Sequence, residues 1–498
     1  MDGTIRRALA GRVGMRRRKR SGVRRGIRNS GGTVARQYGK KGTFPGELKM
    51  NSISYHRTLP VRREADVMVA GGGPAGIAAA VTAARSGAKV FLAETLGAFG
   101  GMGTSGGLPF FCRPTDGRNF LAAGFGKEVY DRLWEAGGAG PEMVRDEHPE
   151  EIGGFIYNPE VLKRVYDGLA ADAGVEFLFN TSLIDVMTEG RSLTHAVCSA
   201  KSGLFAVSAK VFVDATGDGD LCAMAGAEYE KGDENGLMQA GTLCSLWSGI
   251  DWSRMKLWSD GARMEEAIEA NLFSVPDISL PGILHTMADS GWGNVGHVFG
   301  VDGTDERSIT QALLDARRRI PEYEAYYRRF VSGGENAVML WTSSSLGIRE
   351  SRRIMGDYVL NVEDFKRQAV FPDEIGRYAY PVDLHDPHPA RKRTGGGVFR
   401  TLRYRNPGES YGIPYRSLIP RSLDNVLVAG RCISTDRYMQ GSLRVQPGCH
   451  ITGQAAGCAA ALAATGNGAV REIPITGLQR RLAGLGAFLP NFNQQEEK

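Results

Sequence analysis

A six-residue turn limits what this chain can fold into more than any other feature. Gly71-Gly72-Gly73-Pro74-Ala75-Gly76 has the spacing G-x-G-x-x-G, and its flanks decide what that spacing means. Asp66-Val67-Met68-Val69-Ala70 before it reads as a buried strand. Residues 74–86 after it read as a helix, with Pro74 in the first turn and Gly87 closing it. Residues 89–93 form the next strand and complete a βαβ unit. In this setting each glycine has a task. Gly71 permits the turn, Gly73 lets backbone approach a pyrophosphate, and Gly76 lets the helix pack close to the strand. The helix start at Pro74 and Ala75 turns exposed N–H groups and a positive dipole end toward the phosphates. Glu94 ends the second strand, 18 residues after Gly76, where a carboxylate accepts from ribose hydroxyls. The unit predicts a bound dinucleotide.

Three further glycine-rich turns follow. Gly100-Gly101-Met102-Gly103-Thr104-Ser105-Gly106-Gly107 builds no core. It suits backbone passing a flat ligand along Gly101 and Met102, with Thr104 and Ser105 offering hydroxyls, or else a surface loop. Asp214-Ala215-Thr216-Gly217-Asp218-Gly219-Asp220 is a strand end running into a turn able to cross the nucleotide. Its acids Asp218 and Asp220 either cap the next helix or bond the ligand. A metal site is possible here but not expected, since no His lies nearby. Last, Ala429-Gly430-Arg431-Cys432 ends a strand. A helix of very small residues then starts at Pro447, with Gly448 and Gly453 able to lie tightly on the sheet.

The chain of 498 residues is too long for one simple core. A helix after Asn158-Pro159 runs to about Ala173, and residues 175–179 form a strand. Short β segments at 183–188, 193–200 and 204–209 read as a small meander that ends in the strand 211–214. Residues from about 230 turn mixed and partly helical, and the strand 425–429 returns to the first domain. The expected architecture is α/β: a three-layer Rossmann-like domain with a β-meander and an inserted α+β cap. Its expected segments are a basic, disordered tail (1–62), the first part of the nucleotide domain (63–229), mainly cap (230–420), the C-terminal return (421–470) and a C-terminal tail (471–498).

Charge and cysteines narrow the surroundings. Residues 1–49 carry 15 basic against two acidic side chains, a net of +13, which leaves −7 for the rest of a chain whose total is +6. Three readings of that basic segment stay open: an arm for nucleic acid or acidic surfaces, a targeting arm, or a stretch upstream of a true start at Met50. Seven cysteines without a C-x-x-C pair argue against a disulfide framework, a zinc site and an iron–sulfur cluster. They fit a reducing compartment, hence the cytoplasm. No apolar run is long enough for a transmembrane helix, so no membrane partner is expected.

The four motifs, in this order, resemble those of FAD-dependent oxidoreductases in the two-dinucleotide-binding-domain flavoprotein superfamily. More narrowly, "DATGDGDL", "GIRESRRIMGDYVL", "PVDLHDP", "YGIPYRSLIPRSLDNVLVAGRCIS" and "RVQPGCHITGQAAG" look like the family that includes the flavin core of heterodisulfide reductase. The resemblance covers about residues 63–465 and implies FAD as cofactor and a redox reaction on a small molecule; with the turn residues named above, Gly76, Gly448 and Gly453 are then expected to lie against the cofactor. On that footing the start of the small-residue helix, aimed at a flavin, would stabilise the anionic edge that develops on reduction. Two departures stand out. The cysteine runs that hold iron–sulfur clusters in heterodisulfide reductase are missing, and a second dinucleotide fingerprint for NAD(P)H is missing too.

Candidate substrate residues come from what remains. Arg349, in Ile348-Arg349-Glu350-Ser351-Arg352-Arg353, offers a guanidinium fork for a carboxylate, unless Glu350 merely neutralises a helix start. His385 and His388 lie in a Pro- and Asp-rich loop and can move a proton, or stay solvated. Tyr411 and Tyr415 flank a Gly-Ile-Pro turn and either donate a hydroxyl or pack. Arg444 precedes the small-residue helix by three residues and faces either the flavin edge or a bound anion. Cys449 lies at that helix start, where a thiol pKa tends to fall, or else it fills a small space beside the flavin. The set favoured for catalysis is Arg349, His385, Arg444 and Tyr415, acting on a small, anionic substrate by hydride transfer to or from flavin N5. Rivals are an RNA-modifying flavoprotein, a flavin-binding regulator without turnover, and the electron-transfer component of a larger complex. The −7 body speaks against nucleic acid as a partner.

Overall fold

The computed structural model describes residues 52–141, 153–255, 261–279, 282–390 and 402–492. The chain divides into two units, Met1–Arg57 and Thr58–Lys498. Of the first unit, residues 52–57 are exposed and have no regular secondary structure. The rest of the expected basic tail lies outside the described residues.

The second unit is built on a seven-stranded sheet. Strand β1 (Val61–Ala70) starts just before the predicted onset of order and lies between β2 (Val90–Ala93) and Gly203–Asp214, parallel to both. Glu176–Leu178 extends the sheet beyond β2, and Val426–Val428 pairs in parallel with the end of Gly203–Asp214. The earlier part of Gly203–Asp214 runs antiparallel to Ser192–Ala200, which pairs with Ser182–Glu189. This is the expected meander, with one difference. The segments predicted at 204–209 and 211–214 are a single strand, because Lys210 is an exposed ladder position whose Nζ pairs with Asp66 at 2.9 Å.

Register fixes where the site must lie. Ala70 is the partner of both Ala93 and Asp214, and Asp214 is the partner of Val428. Four parallel strands therefore end at one level, and the loops after 70, 93, 214 and 428 leave the sheet side by side. This carboxyl edge is where open α/β sheets bind ligands. Val67, Met68, Val69 and Ala70 are fully buried, as expected of a central parallel strand.

Two helices brace this edge. Helix α1 (Pro74–Arg85) is crossed closely by Gln446–Ala464. A Cβ on Gly453 would lie 2.2 Å from the Ala75 carbonyl oxygen, and one on Gly457 would lie 2.1 Å from that of Ala79. Glycine at both positions is what allows the two backbones to touch.

The expected cap, 230–420, is narrower in the structure. Its antiparallel sheet has the order Ile283–Met287, Ser290–Gly293, Ser245–Ser248, Val338–Thr342, backed by helices Gly261–Glu269 and Glu306–Phe330. Trp247, Ile250, Met264, Tyr323 and Tyr327 form one core there, and Leu243, Val298, Ala312 and Leu346 a second. From Ile354 onward the buried apolar residues, Leu360, Phe365, Ile375, Tyr378 and Ile413 among them, join the main core instead. A short antiparallel ribbon, Tyr229–Lys231 with Arg352–Ile354, ties together the two chain passages into the cap. The stretch expected as a C-terminal tail also differs. It contains the helix Ile475–Gly484, which buries Leu478 and Leu482 completely. Among the described residues, no helix is long and apolar enough to cross a membrane.

Candidate functional site

A cavity of about 850 Å³ opens at the carboxyl edge of the sheet and runs under the cap, within the size range of small-molecule and cofactor pockets. At one end it is lined by Gly71, Gly73, Pro74 and Ala75. Gly71 has φ +92°, and a Cβ there would lie 2.6 Å from the Ala215 carbonyl oxygen. Gly73 differs: its φ is −63°, and a Cβ would meet no protein atom within 4 Å. Space is held open at the position where the motif brings backbone to a pyrophosphate. No side chain caps helix α1, so the N–H groups of its first turn have no side-chain partner at this wall.

Glu94 lines the same end and is buried. Its Oε2 accepts from the Gly72 N–H at 2.5 Å and its Oε1 from the Leu96 N–H at 2.6 Å. Burial raises its pKa, against backbone donors at Leu96, Gly72 and Thr95. A carboxylate can accept about four donors, which leaves room for a ribose hydroxyl. Gly101, Met102, Ala215, Thr216, Gly217, Asp218, Gly430 and Arg431 continue the wall. Arg431 Nη2 donates to Asp218 Oδ1 at 2.8 Å and Nη1 to Ser351 Oγ at 3.2 Å. Asp220 instead pairs with Arg352 at 2.7 Å, in the first turn of the helix Asp220–Met224.

Five residues expected to touch the cofactor lie off this wall. Gly76 serves packing alone, since a Cβ there would lie 1.8 Å from the Gly71 carbonyl oxygen. Gly453 meets helix α1, and a Cβ on Gly448 would lie 2.5 Å from the Leu443 carbonyl oxygen. The Thr104 hydroxyl donates to the Phe99 carbonyl at 2.5 Å, and the Ser105 carbonyl accepts from Ser343 Oγ at 3.2 Å. The hydroxyls expected from this loop are therefore not at the cavity. Gln446 takes a place there that the sequence did not single out: it lines the wall, and its Nε2 donates to the Phe110 carbonyl at 3.0 Å.

The far end of the cavity collects Arg349, Arg444, Asp383, His385, Tyr380, Thr242, Asn294 and two cysteines, Cys112 and Cys244, while Cys449 lines the wall beside Gly430. Arg349 is only 8 % exposed, and its direct partners among the described residues are all neutral. Nη1 donates to the Ala240 carbonyl at 2.6 Å and to Thr242 Oγ1 at 2.9 Å, and Nη2 to Asn294 Oδ1 at 3.2 Å. Burial, and then the nearby Arg444, pull its pKa down to about 10. Arg444 Nη2 donates to Asp383 Oδ2 at 3.0 Å, while its buried Nε has no hydrogen-bond partner among the described residues.

His385 Nδ1 lies 2.9 Å from His297 Nε2, and His297 Nδ1 lies 2.7 Å from Asp277 Oδ2. On its other side, His385 Nε2 is 3.5 Å from Asp383 Oδ2. Burial, aided by Arg349, pushes the His385 pKa down to about 3, so the ring is neutral at ordinary pH. Burial works to raise the pKa of Asp383, but its polar and cationic surroundings, Arg444 and Arg349 among them, outweigh it and hold the carboxyl well below its usual range.

Tyr415, favoured from sequence as a fourth member, is not at this end. It is 1 % exposed, and its hydroxyl donates to the Val470 carbonyl at 2.8 Å. The turn before it carries its ring into the main core. Tyr411 is likewise buried against Ser442, and His388 is exposed. Cys449 does line the cavity, but burial pushes its thiol up to about 12, the reverse of the expected fall, and its Sγ lies 3.3 Å from the Arg444 carbonyl oxygen. Of the residues not foreseen, Asp383 stands two places before His385 in the same loop. Asp277 and His297 carry no sequence signal, because their partners are distant along the chain.

Comparison with known proteins adds three findings. The model of the family described as FAD dependent oxidoreductase matches residues 66–482. Solved structures of similar shape include a geranylgeranyl bacteriochlorophyll reductase-like protein from Thermoplasma acidophilum, at 14 % identity and TM-score 0.41 over 85 % of this chain and 83 % of that one. A flavin-dependent brominase matches at 12 % identity and TM-score 0.42 over 84 % of each chain, and p-nitrophenol 4-monooxygenase from Pseudomonas putida at 11 % and 0.41, again over 84 % of each. No curated protein matches the sequence.

Proposed function

The chain belongs to the FAD-dependent oxidoreductase family, and from that premise we propose that it oxidises a small anionic molecule at a hydroxyl-bearing carbon. The residues present fit the cofactor. The open space at Gly73, the uncapped start of helix α1 and the Glu94 carboxylate suit its pyrophosphate and ribose, and Arg431 and Gln446 lie further along the same wall. When bound, FAD supplies the two-electron acceptor that takes a hydride at N5.

One observation carries the reading. A buried guanidinium without a carboxylate partner and a neutral imidazole share the wall that begins at the nucleotide-binding turn. Arg349 holds the substrate anion, because a cation kept among neutral acceptors gains most from an incoming negative charge. Arg444, turned toward Asp383, keeps that carboxylate engaged and away from the anion. His385 takes the hydroxyl proton at Nε2 as the C–H pair leaves and the C=O bond forms. The proton goes to the protein and the electron pair to the cofactor, so the step balances.

An anaerobic screen that follows loss of the flavin's visible absorbance tests this. Carboxylate-bearing alcohols should bleach the flavin, and their uncharged esters should not. With the substrate in hand, Arg349→Ala should mainly raise KM. His385→Ala should cut kcat by about a hundredfold to ten-thousandfold. Wild-type turnover in both variants would place the pocket elsewhere.

A further inference from the structure

We infer that Asp277 and His297, two residues of the cap, fix the tautomer of His385 and leave its Nε2 as an unprotonated nitrogen facing the cavity. The use of that nitrogen as a base rests on the function proposed above; the tautomer itself does not.

The polarity of the chain of bonds follows from its ends. An ionised carboxylate only accepts, so His297 Nδ1, 2.7 Å from Asp277 Oδ2, carries a proton and donates it. Burial lowers the pKa of both His297 and His385, which favours the neutral rings, each with one N–H. With its proton on Nδ1, His297 has a lone pair at Nε2 and accepts from His385 Nδ1 at 2.9 Å. His385 then has its lone pair at Nε2. The opposite polarity requires a proton kept on Asp277 and an Nε2–H of His385 donating to Asp383 across 3.5 Å. The short contact is at Asp277 and the long one at Asp383, whose Oδ2 is already engaged by Arg444 at 3.0 Å. Hydrogen bonds weaken steeply over that range, so distance selects the first polarity.

The surroundings hold the three groups in line. The Arg319 Nη1 donates to the His297 carbonyl at 2.8 Å, and the backbone N–H of His385 donates to Gln239 Oε1 at 3.1 Å. Among the described residues, Asp277, Asp383 and Arg349 are charged groups that act on the two rings, Arg319 touches the His297 backbone, and Tyr323 lies near Asp277. His297 follows the cap strand Ser290–Gly293, whereas His385 belongs to a loop of the main body after Glu374–Tyr378. The cap thus supplies the acceptor that sets the body's imidazole. When Nε2 gains a proton, the resulting cation is one ring away from the Asp277 carboxylate, which stabilises it. This makes Asp277 and His297 positioning residues.

Nitrogen NMR of the FAD-loaded full-length protein, with 15N-labelled imidazoles, tests the inference. The His385 signals are assigned by their loss in His385→Gln. Wild type should show Nδ1 as the N–H nitrogen and Nε2 as the lone-pair nitrogen. In Asp277→Asn the amide donates to His297 Nδ1, which reverses every bond and moves the His385 proton to Nε2. His297→Gln should restore the wild-type pattern, because its amide oxygen accepts from Nδ1. An Nε2–H in wild type overturns the inference. The wild-type spectrum decides even if a variant fails to fold. Turnover separates the two readings. In Asp277→Asn, kcat should fall by up to about ten-thousandfold at unchanged KM, the scale of a wrong tautomer in a serine-protease triad. A reversed spectrum with undiminished kcat upholds the tautomer and overturns His385 as the base.

Discussion

Gly71, Gly73 and Gly76 share one motif but answer to different masters. Gly71 has a left-handed φ and Gly76 has no room for a Cβ, so the fold needs glycine at both. Gly73 has an ordinary φ and empty space beside it, so only a ligand needs it small. Gly73→Val should therefore fold and lose FAD. Flavin absorbance per chain checks the loss. Thermal melts must compare the two proteins stripped of FAD, because bound cofactor itself stabilises. Normal FAD content in the variant would refute the placement of the pyrophosphate. Such roles were legible because strand, turn and helix are local. Arg349, His385 and Arg444 were legible only as residue types at the edges of motifs. The His385–His297–Asp277 chain was not, since it joins residues 88 and 20 positions apart and no spacing rule links them. Tyr415 misled because a Gly-Ile-Pro turn says where the chain bends and not which way the next ring points.

At the scale of elements, the crossing of helix α1 with Gln446–Ala464 governs the site. The first helix begins at the Gly73 wall, and the second begins at the wall formed by Gln446 and Cys449. Gly457→Ala puts a methyl 2.1 Å from the Ala79 carbonyl oxygen, so the helices must part. The variant should lose about 1–3 kcal/mol of stability, the usual cost of overpacking. Gly168→Ala gives the contrast. It lies in the helix Pro159–Asp172, where a Cβ meets nothing nearer than Arg132 Nη1 at 3.9 Å. That change should stabilise by about 0.5–1 kcal/mol through the unfolded state. Denaturant melts of both decide; equal effects would mean the crossing is slack. The small residues were visible in sequence as a tightly packed helix, but their partner was not. The cap limits were misjudged for a related reason. Residues after 354 look as mixed as those before, and only packing shows which core their side chains enter.

For the whole molecule, Thr58–Lys498 is a unit that contains every residue of the cavity wall. Removing residues 1–49 should leave one FAD per chain and a melting temperature within a few degrees of the full chain's. It also reverses the net charge from +6 to −7, so the shortened protein should bind an anion exchanger near neutral pH where the full chain does not. A large fall in melting temperature would show that the basic segment contributes to the fold. The ribbon of Tyr229–Lys231 with Arg352–Ile354 has its own meaning at this scale. The polypeptide enters and leaves the cap as neighbouring strands, roughly 4.8 Å apart. Arg349, Asn294, His297 and Asp277 lie beyond that gateway, while the nucleotide turn, Glu94, Arg431, Arg444 and His385 lie before or after it. Descent with change at such a gateway is cheap: one excised and regrown stretch alters which molecule is recognised, and the machinery that holds the cofactor is inherited intact.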